Sequence, residues 1–241
     1  MRIDAVGKSI CGAKRRTNQD AYVIVERLGL YGVADSVGDG RSTQTPASRA
    51  LYFLESYLSK HIAGRAALDK MVKASIEHVN AALIRENTKH PRQKGVTTLT
   101  YCLASEDGCV IGHVGDSAAW HIRGEEITRI TTEDTLAGLL AENRIIGREE
   151  VKTHPGRNYL INSLGDTKDI HVGVRRLTVR SGDYVVLATD GVARSLAPGA
   201  IVREVRDPRR RLSTCASRLI GASLCAGAGD DLTAVVIRFR G

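Results

Sequence analysis

The order in which apolar segments arrive is what most narrows the fold open to this chain. Residues 20–26 (DAYVIVE) and 29–35 (GLYGVAD) read as strands joined near Gly29. Two amphipathic stretches follow. Over 46–62, Ala47, Leu51, Leu54, Leu58 and Ile62 recur at helical spacing, and Pro46 suits a first turn. Over 66–87, Leu68, Met71, Val72, Ile76, Val79 and Leu83 form a second stripe. Strands return at 97–104, 109–115 and 117–123. Residues 134–157 break the pattern with a short helix, a second helical stretch around GREEV, and HPGR. Strands then resume at 171–178, 183–190 and 231–239, with helices over 198–206 and 209–224. Strands and helices in blocks, without strict βαβ alternation, predict antiparallel sheets covered by helices. No repeat, low-complexity tract or linker interrupts the chain. Residues 1–241 therefore read as one domain with an insertion at about 134–157.

The bulk numbers remove several function classes. The 241 residues are 42% hydrophobic and 26% charged, the balance of a water-soluble globular protein. No apolar run reaches the roughly 18 residues of a membrane span. MRIDAVGKSI has no signal-peptide core, so a cytoplasmic protein with no membrane partner is expected. Five scattered cysteines contain no CxxC pair, which argues for reduced thiols and against zinc. The net charge of +8 sits in short clusters, KRR at 14–16 and RDPRRR at 206–211, and aromatics are only 4%. That is a poor base-stacking surface, so no nucleic-acid partner is expected. A solvated basic face accounts for the charge, and an acidic or phosphorylated partner is equally compatible, recruited through a positive surface that includes Arg209, Arg210 and Arg211.

The chemistry lies in the carboxylates. VADSVGDG at 33–40 runs an apolar strand into Asp35, and VVLATDG at 185–191 does the same with Asp190. GHVGDS at 112–117 ends in Asp116, and GDDLT at 229–233 places Asp230 just before the last strand. Asp is depleted in strands and rarely buried unless paired or bound to metal. A single such Asp is most simply a turn or cap residue. Several at strand ends, each beside glycine or another small residue, suggest ionised carboxylates held together by hard cations such as Mg²⁺ or Mn²⁺.

The order of motifs is more specific than any one of them. GAKRRTNQDA (12–21), VADSVGDG (33–40), GVTTLT (95–100) and GHVGDSAAW (112–120) are followed by TRITTED (128–134), HPGRNYLINSLG (154–165), GDYVVLATDG (182–191) and GDDLTAVVI (229–237). In this order the chain resembles the metal-dependent serine/threonine protein phosphatases of the type 2C (PPM) family, in their compact bacterial form. The resemblance implies an α+β fold: a β-sandwich of two antiparallel sheets flanked by helices on both faces. It implies hydrolysis of phosphoserine and phosphothreonine by a water bridging two divalent metals, Mn²⁺ or Mg²⁺, with a third ion in bacterial members. It places Asp35 as the bridging ligand, the Ser36 backbone carbonyl on one metal, Asp190 and Asp230 on the other, and Asp116 with Asp190 at the third. Asp20 falls in the outer shell, and Arg15 at the phosphate-binding position. Residues 134–157 match the family's flap. Phosphorylated proteins are the implied partners, a Ser/Thr protein kinase or its substrates among them, met by a monomeric enzyme.

Three departures stand out. Ser36 replaces a family glycine, at a cost of about 1 kcal/mol if that position requires a positive φ. No histidine occurs in the loop, and Asp39 is an extra acid within it. Asp231 replaces a usual asparagine, where its charge would tighten metal binding or face solvent. These changes motivate an alternative: a weak or inactive phosphatase fold that binds a phosphorylated regulator.

Overall fold

The computed structural model describes every residue except 38–43, 63–67, 92–93, 106–107 and 208–210. One sheet orders as β1 (Arg2–Ile10), β11 (Leu232–Arg240), β10 (Tyr184–Ala188), β7 (Ala118–Arg123) and β8 (Glu126–Arg129). The other orders as β2 (Asp20–Val25), β3 (Leu30–Val37), β5 (Leu99–Ser105), β6 (Gly108–Val114) and β9 (Gly173–Leu177). The two-residue β4 (Val96–Thr97) also pairs with β3, and every pairing is antiparallel.

Alternation along the strands sorts their side chains into three apolar layers, because successive residues point to opposite faces. In β11, Val235, Ile237 and Phe239 point between the sheets, while Leu232, Ala234 and Val236 face helices. In β3, Tyr31 and Val33 point between the sheets, and Leu30 and Ala34 face the other helices. Strands buried on both faces explain the near-continuous apolar runs in the sequence. The second sheet is covered by α1 (Pro46–His61) and α2 (Leu68–Lys89), through Leu54, Leu58, Val72, Ile76 and Leu83. The first is covered by α4 (Asp190–Ser195), α5 (Pro198–Arg206) and α6 (Cys215–Cys225). The α-β-β-α layering expected from the sequence is the architecture found. Among the described residues no helix is long and apolar enough to cross a membrane.

The differences are local. β1 pairs along its whole length with β11, yet Arg2–Ile10 carries only a broken apolar pattern and reads poorly as a strand. The helix expected over 209–224 forms only from Cys215, after a 3-10 turn at Leu212–Thr214. Asp190 is not a strand residue: β10 ends at Ala188, and Asp190 opens α4, where a carboxylate suits the helix dipole. The insertion contains α3 (Leu136–Glu142), capped by Thr135, then 3-10 turns at Glu150–Lys152 and Pro155–Asn158.

Candidate metal centre and groove

Strand parity brings the carboxylates to one end of the sandwich. Asp35 shares the inward face of β3 with Tyr31 and Val33, and Asp20 stands directly opposite it on β2. Two like charges so placed repel. Thr189 follows β10, and its hydroxyl donates to Asp20 Oδ2 at 2.7 Å while accepting the Thr233 amide at 3.1 Å. The Asn18 side chain accepts the Asp20 amide at 3.1 Å. Among the described residues Asp20 Oδ1 is buried without a hydrogen-bond partner.

Asp35 is held by its backbone. Its amide donates to Thr98 Oγ1 at 3.0 Å, and its carbonyl accepts the Thr98 amide at 2.9 Å and the Thr97 hydroxyl at 2.8 Å. The next residue corrects an expectation. Among described non-glycine residues only Arg144 has a positive φ, so Ser36 carries none of the strain considered for it. Its hydroxyl instead accepts the Ala47 amide at 2.8 Å, in the first turn of α1. Serine here supplies a second acceptor at the start of α1, beside the N-cap Thr45. Asp39 lies outside the described residues, as do Arg209 and Arg210.

Asp231 neither faces solvent nor turns to the neighbouring carboxylates. It is 3% exposed, and its two oxygens accept the Gly12 and Gln19 amides at 2.8 Å each. It thereby ties the 12–19 segment to the start of β11. Glycine is needed where Gly12 and Gly191 approach the backbone of Asp230 and Asp231. A Cβ on Gly12 would lie 2.3 Å from the Asp230 carbonyl oxygen, and one on Gly191 2.1 Å from that of Asp231. Arg15, carried by this tied segment, reaches Asp230 Oδ1 through Nε and Nη2, both at 2.7 Å.

Asp116, after β6, and Asp190 complete the cluster. The pair matched to a third ion is bridged by Arg194, whose Nη2 lies 2.6 Å from Asp116 and whose Nη1 lies 2.7 Å from Asp190. Sequence reading missed Arg194 and Thr189, and it noticed Asp231 without foreseeing its bonds to the 12–19 segment. Of the two missed, only Arg194 left a signal, a cation four residues after an acid in a helical stretch.

Burial and mutual repulsion set the charge state. Desolvation, then the charges of Asp20, Asp190, Asp116 and Asp230, push the Asp35 carboxyl well above the usual range. Desolvation and Asp190 raise Asp116 to about 7, against which Arg194 works. Desolvation raises Asp20 to about 7, opposed by the threonine hydroxyls. Asp190 is raised too, by desolvation and by Asp230. Beside the cluster a groove of about 670 Å³ is lined by Arg129, Lys152, Arg157 and Arg194, with Asp190 and Asp230 on its wall.

Among the described residues no three His, Cys, Asp or Glu side chains encircle one point as metal ligands do; Arg194 stands between Asp116 and Asp190, and Arg15 holds Asp230. The donor set still fits a hard divalent cation. It is all oxygen, and it includes the orphaned Asp20 Oδ1 and an Asp35 carboxyl surrounded by four others.

The same arrangement of sheets occurs in known proteins. The S. agalactiae serine/threonine phosphatase matches with a TM-score of 0.90, at 22% identity, over 99% of this chain and all of that one. The catalytic domain of the serine/threonine protein phosphatase PstP, in complex with two manganese ions, matches with a TM-score of 0.82 at 24% identity, covering 99% of each chain. In sequence, the serine/threonine protein phosphatase PstP of Mycobacterium tuberculosis is 28% identical over 226 residues, 93% of this chain. This chain spans less than half of that relative, 43% of its length. The family model for protein phosphatase 2C matches residues 11–220, from the segment that carries Arg15 and Asp20 through Asp190 and into α6. The motif order, the layered sandwich and this match agree: the chain belongs to the protein phosphatase 2C family.

Proposed function

We propose that this chain is a metal-dependent serine/threonine protein phosphatase, hydrolysing phosphoserine and phosphothreonine in proteins. One observation carries the reading most: Asp20, Asp35, Asp116 and Asp190 crowd together with the half-exposed Asp230, in a cluster whose charge the protein only partly neutralises. Such a cluster costs stability, which makes sense if divalent cations complete it. Asp35, Asp190 and Asp230 would hold Mn²⁺ or Mg²⁺, with the Ser36 carbonyl as a further ligand. Asp20 would act from behind them. Bound ions would supply Lewis acidity and a water ionised near neutral pH.

The chain's own groups supply the rest. Arg15 is placed to orient a phosphate by a bidentate, charge-assisted contact, on exchanging its bond to Asp230. Lys152 and Arg157, the groove's cations beyond the Arg129–Glu133 and Arg194–Asp190 pairs, favour a phosphorylated, acidic segment over its unmodified form. No protein nucleophile is required. Ser36 motivated a binding-only alternative, but its unstrained backbone and its bond to the Ala47 amide remove that ground. A Ser/Thr kinase of the same cell, or that kinase's substrates, would be the phosphorylated partners, met by a monomer. The test is hydrolysis of a phosphothreonine peptide with Mn²⁺, with Mg²⁺ and with chelator, beside Asp190→Asn. Metal-dependent turnover lost in the variant is expected. A folded protein silent under every condition would sink the proposal.

A further inference from the structure

We infer that Arg194 is a built-in cation standing in for an ion between Asp116 and Asp190, so that this chain's centre takes two divalent ions and not three. The inference rests on the metal-dependent reading above and deepens it. Arg194 lies on α4, one turn after Asp190. A guanidinium has four terminal N–H groups, and here each has an acceptor. Nη1 faces Asp190 Oδ2 at 2.7 Å and Asn158 Oδ1 at 2.5 Å. Nη2 faces Asp116 Oδ2 at 2.6 Å and the Arg157 carbonyl at 3.0 Å. Two acceptors are the buried acids, and two belong to the turn that walls the groove.

This satisfies the acids as an ion would. Asp116 and Asp190 repel one another, and a fixed positive charge with directed hydrogen bonds offsets that without stripping water from a free ion. It also excludes one. A divalent cation between the same two oxygens would meet a guanidinium at contact distance, and like charges in a partly buried site repel strongly. The bond lengths leave no room for both. Arg194 takes only Oδ2 of Asp190 and makes no bond to Asp35, Asp230 or the orphaned Asp20 oxygen, so the two-ion part of the centre opens to metal once Arg15 exchanges its bond to Asp230 for phosphate. Through Arg157 and Asn158 the same side chain ties the groove wall to the centre. Arg194 is therefore a positioning residue, with one arm on the acids and one on the wall.

The experiment counts ions. Metal-stripped full chain is dialysed against excess Mn²⁺, and bound metal is measured per folded protein, with folding checked by circular dichroism. Wild type is expected to hold two ions. Arg194→Met should hold three, and Arg194→Met with Asp116→Asn two again. Arg194→Gln, a milder change, should also gain an ion and serves if the methionine variant does not fold. Amide exchange is read alongside. The amides of 155–161 should exchange about tenfold faster in the variant, the loss of about one hydrogen bond to a charged donor. Three ions in wild type, no gain in either folded variant, or unchanged exchange overturns the inference while leaving the phosphatase reading standing. No Mn²⁺ on wild type overturns both.

Discussion

The five-residue strand β10 has a buried acid near each end, and the two live in opposite surroundings. Asp183, just before the strand, has 3% of its side chain exposed and is saturated with donors. Its Oδ2 accepts from His121 Nε2 at 2.9 Å, Arg123 Nη2 at 2.8 Å and the Arg180 amide at 2.9 Å. Burial alone would raise its carboxyl, yet hydrogen bonds from Arg123, His121 and Arg180 hold it below the usual range. Asp190, two residues past the strand, faces Asp35 and Asp230 with Arg194 as counter-ion, and is raised. One acid is satisfied by the fold and strengthens it. The other is crowded with its own kind, and its one counter-ion, Arg194, offsets that crowding only in part. Partner supply, and not depth of burial, separates a structural carboxylate from a functional one.

Several experiments could break that contrast. The largest effect should come from Asp35→Asn, which is expected to lower kcat by about 10²-fold or more while leaving metal-free stability unchanged or raised. Steady-state kinetics and thermal melts in chelator read both; a large loss of Tm would show that Asp35 is as structural as Asp183. The complementary variant, Asp183→Ala, should cost about 2–3 kcal/mol, because several donors lose one acceptor. Denaturant titration measures the cost, and kcat within about twofold of wild type would keep the two ends distinct.

The pH dependence should separate them by sign. Asp20 and Asp116 stand at about 7 in the folded chain, against 3.8 for an ordinary aspartate. Between those values the folded state holds protons that the unfolded chain has released. Metal-free stability should therefore fall as pH rises from 5 to 8. Asp183 acts oppositely. Its contribution is complete above 3.8 and is lost only as pH falls below it, so it is flat over that window. Melts in chelator across pH 5–8 test this, and saturating Mn²⁺ should flatten or reverse the slope. A slope that rises with pH in chelator would contradict the account. The smallest effect is expected of Ser36→Ala, about 1 kcal/mol from the lost acceptor at the start of α1, seen as a lower Tm with metal dependence intact.

Much of the fold was legible because its signals are local. Strand runs such as LTAVVIRF and the stripes of α1 and α2 follow from residue spacing alone. β1 was not, because its pairing with β11 across more than two hundred residues of chain, and not its own composition, makes it a strand. The candidate acids were legible as residue types at segment ends, each beside a small neighbour. Their charge states were not. Raised carboxylates arise from desolvation and from repulsion among groups far apart in sequence, and no local pattern encodes either.

The same division holds at the level of single residues. By itself the sequence determined antiparallel sheets covered by helices, through periodicity, and the sandwich and the family, through the resemblance its motif order carries, because both are properties of neighbours along a chain. Only the tertiary structure decided that Ser36 accepts an amide at the start of a helix, that Asp231 ties a loop and that Arg194 sits between two acids. Each of those roles depends on which donor stands within about 3 Å of which acceptor, and that is settled by packing between segments that the sequence keeps apart.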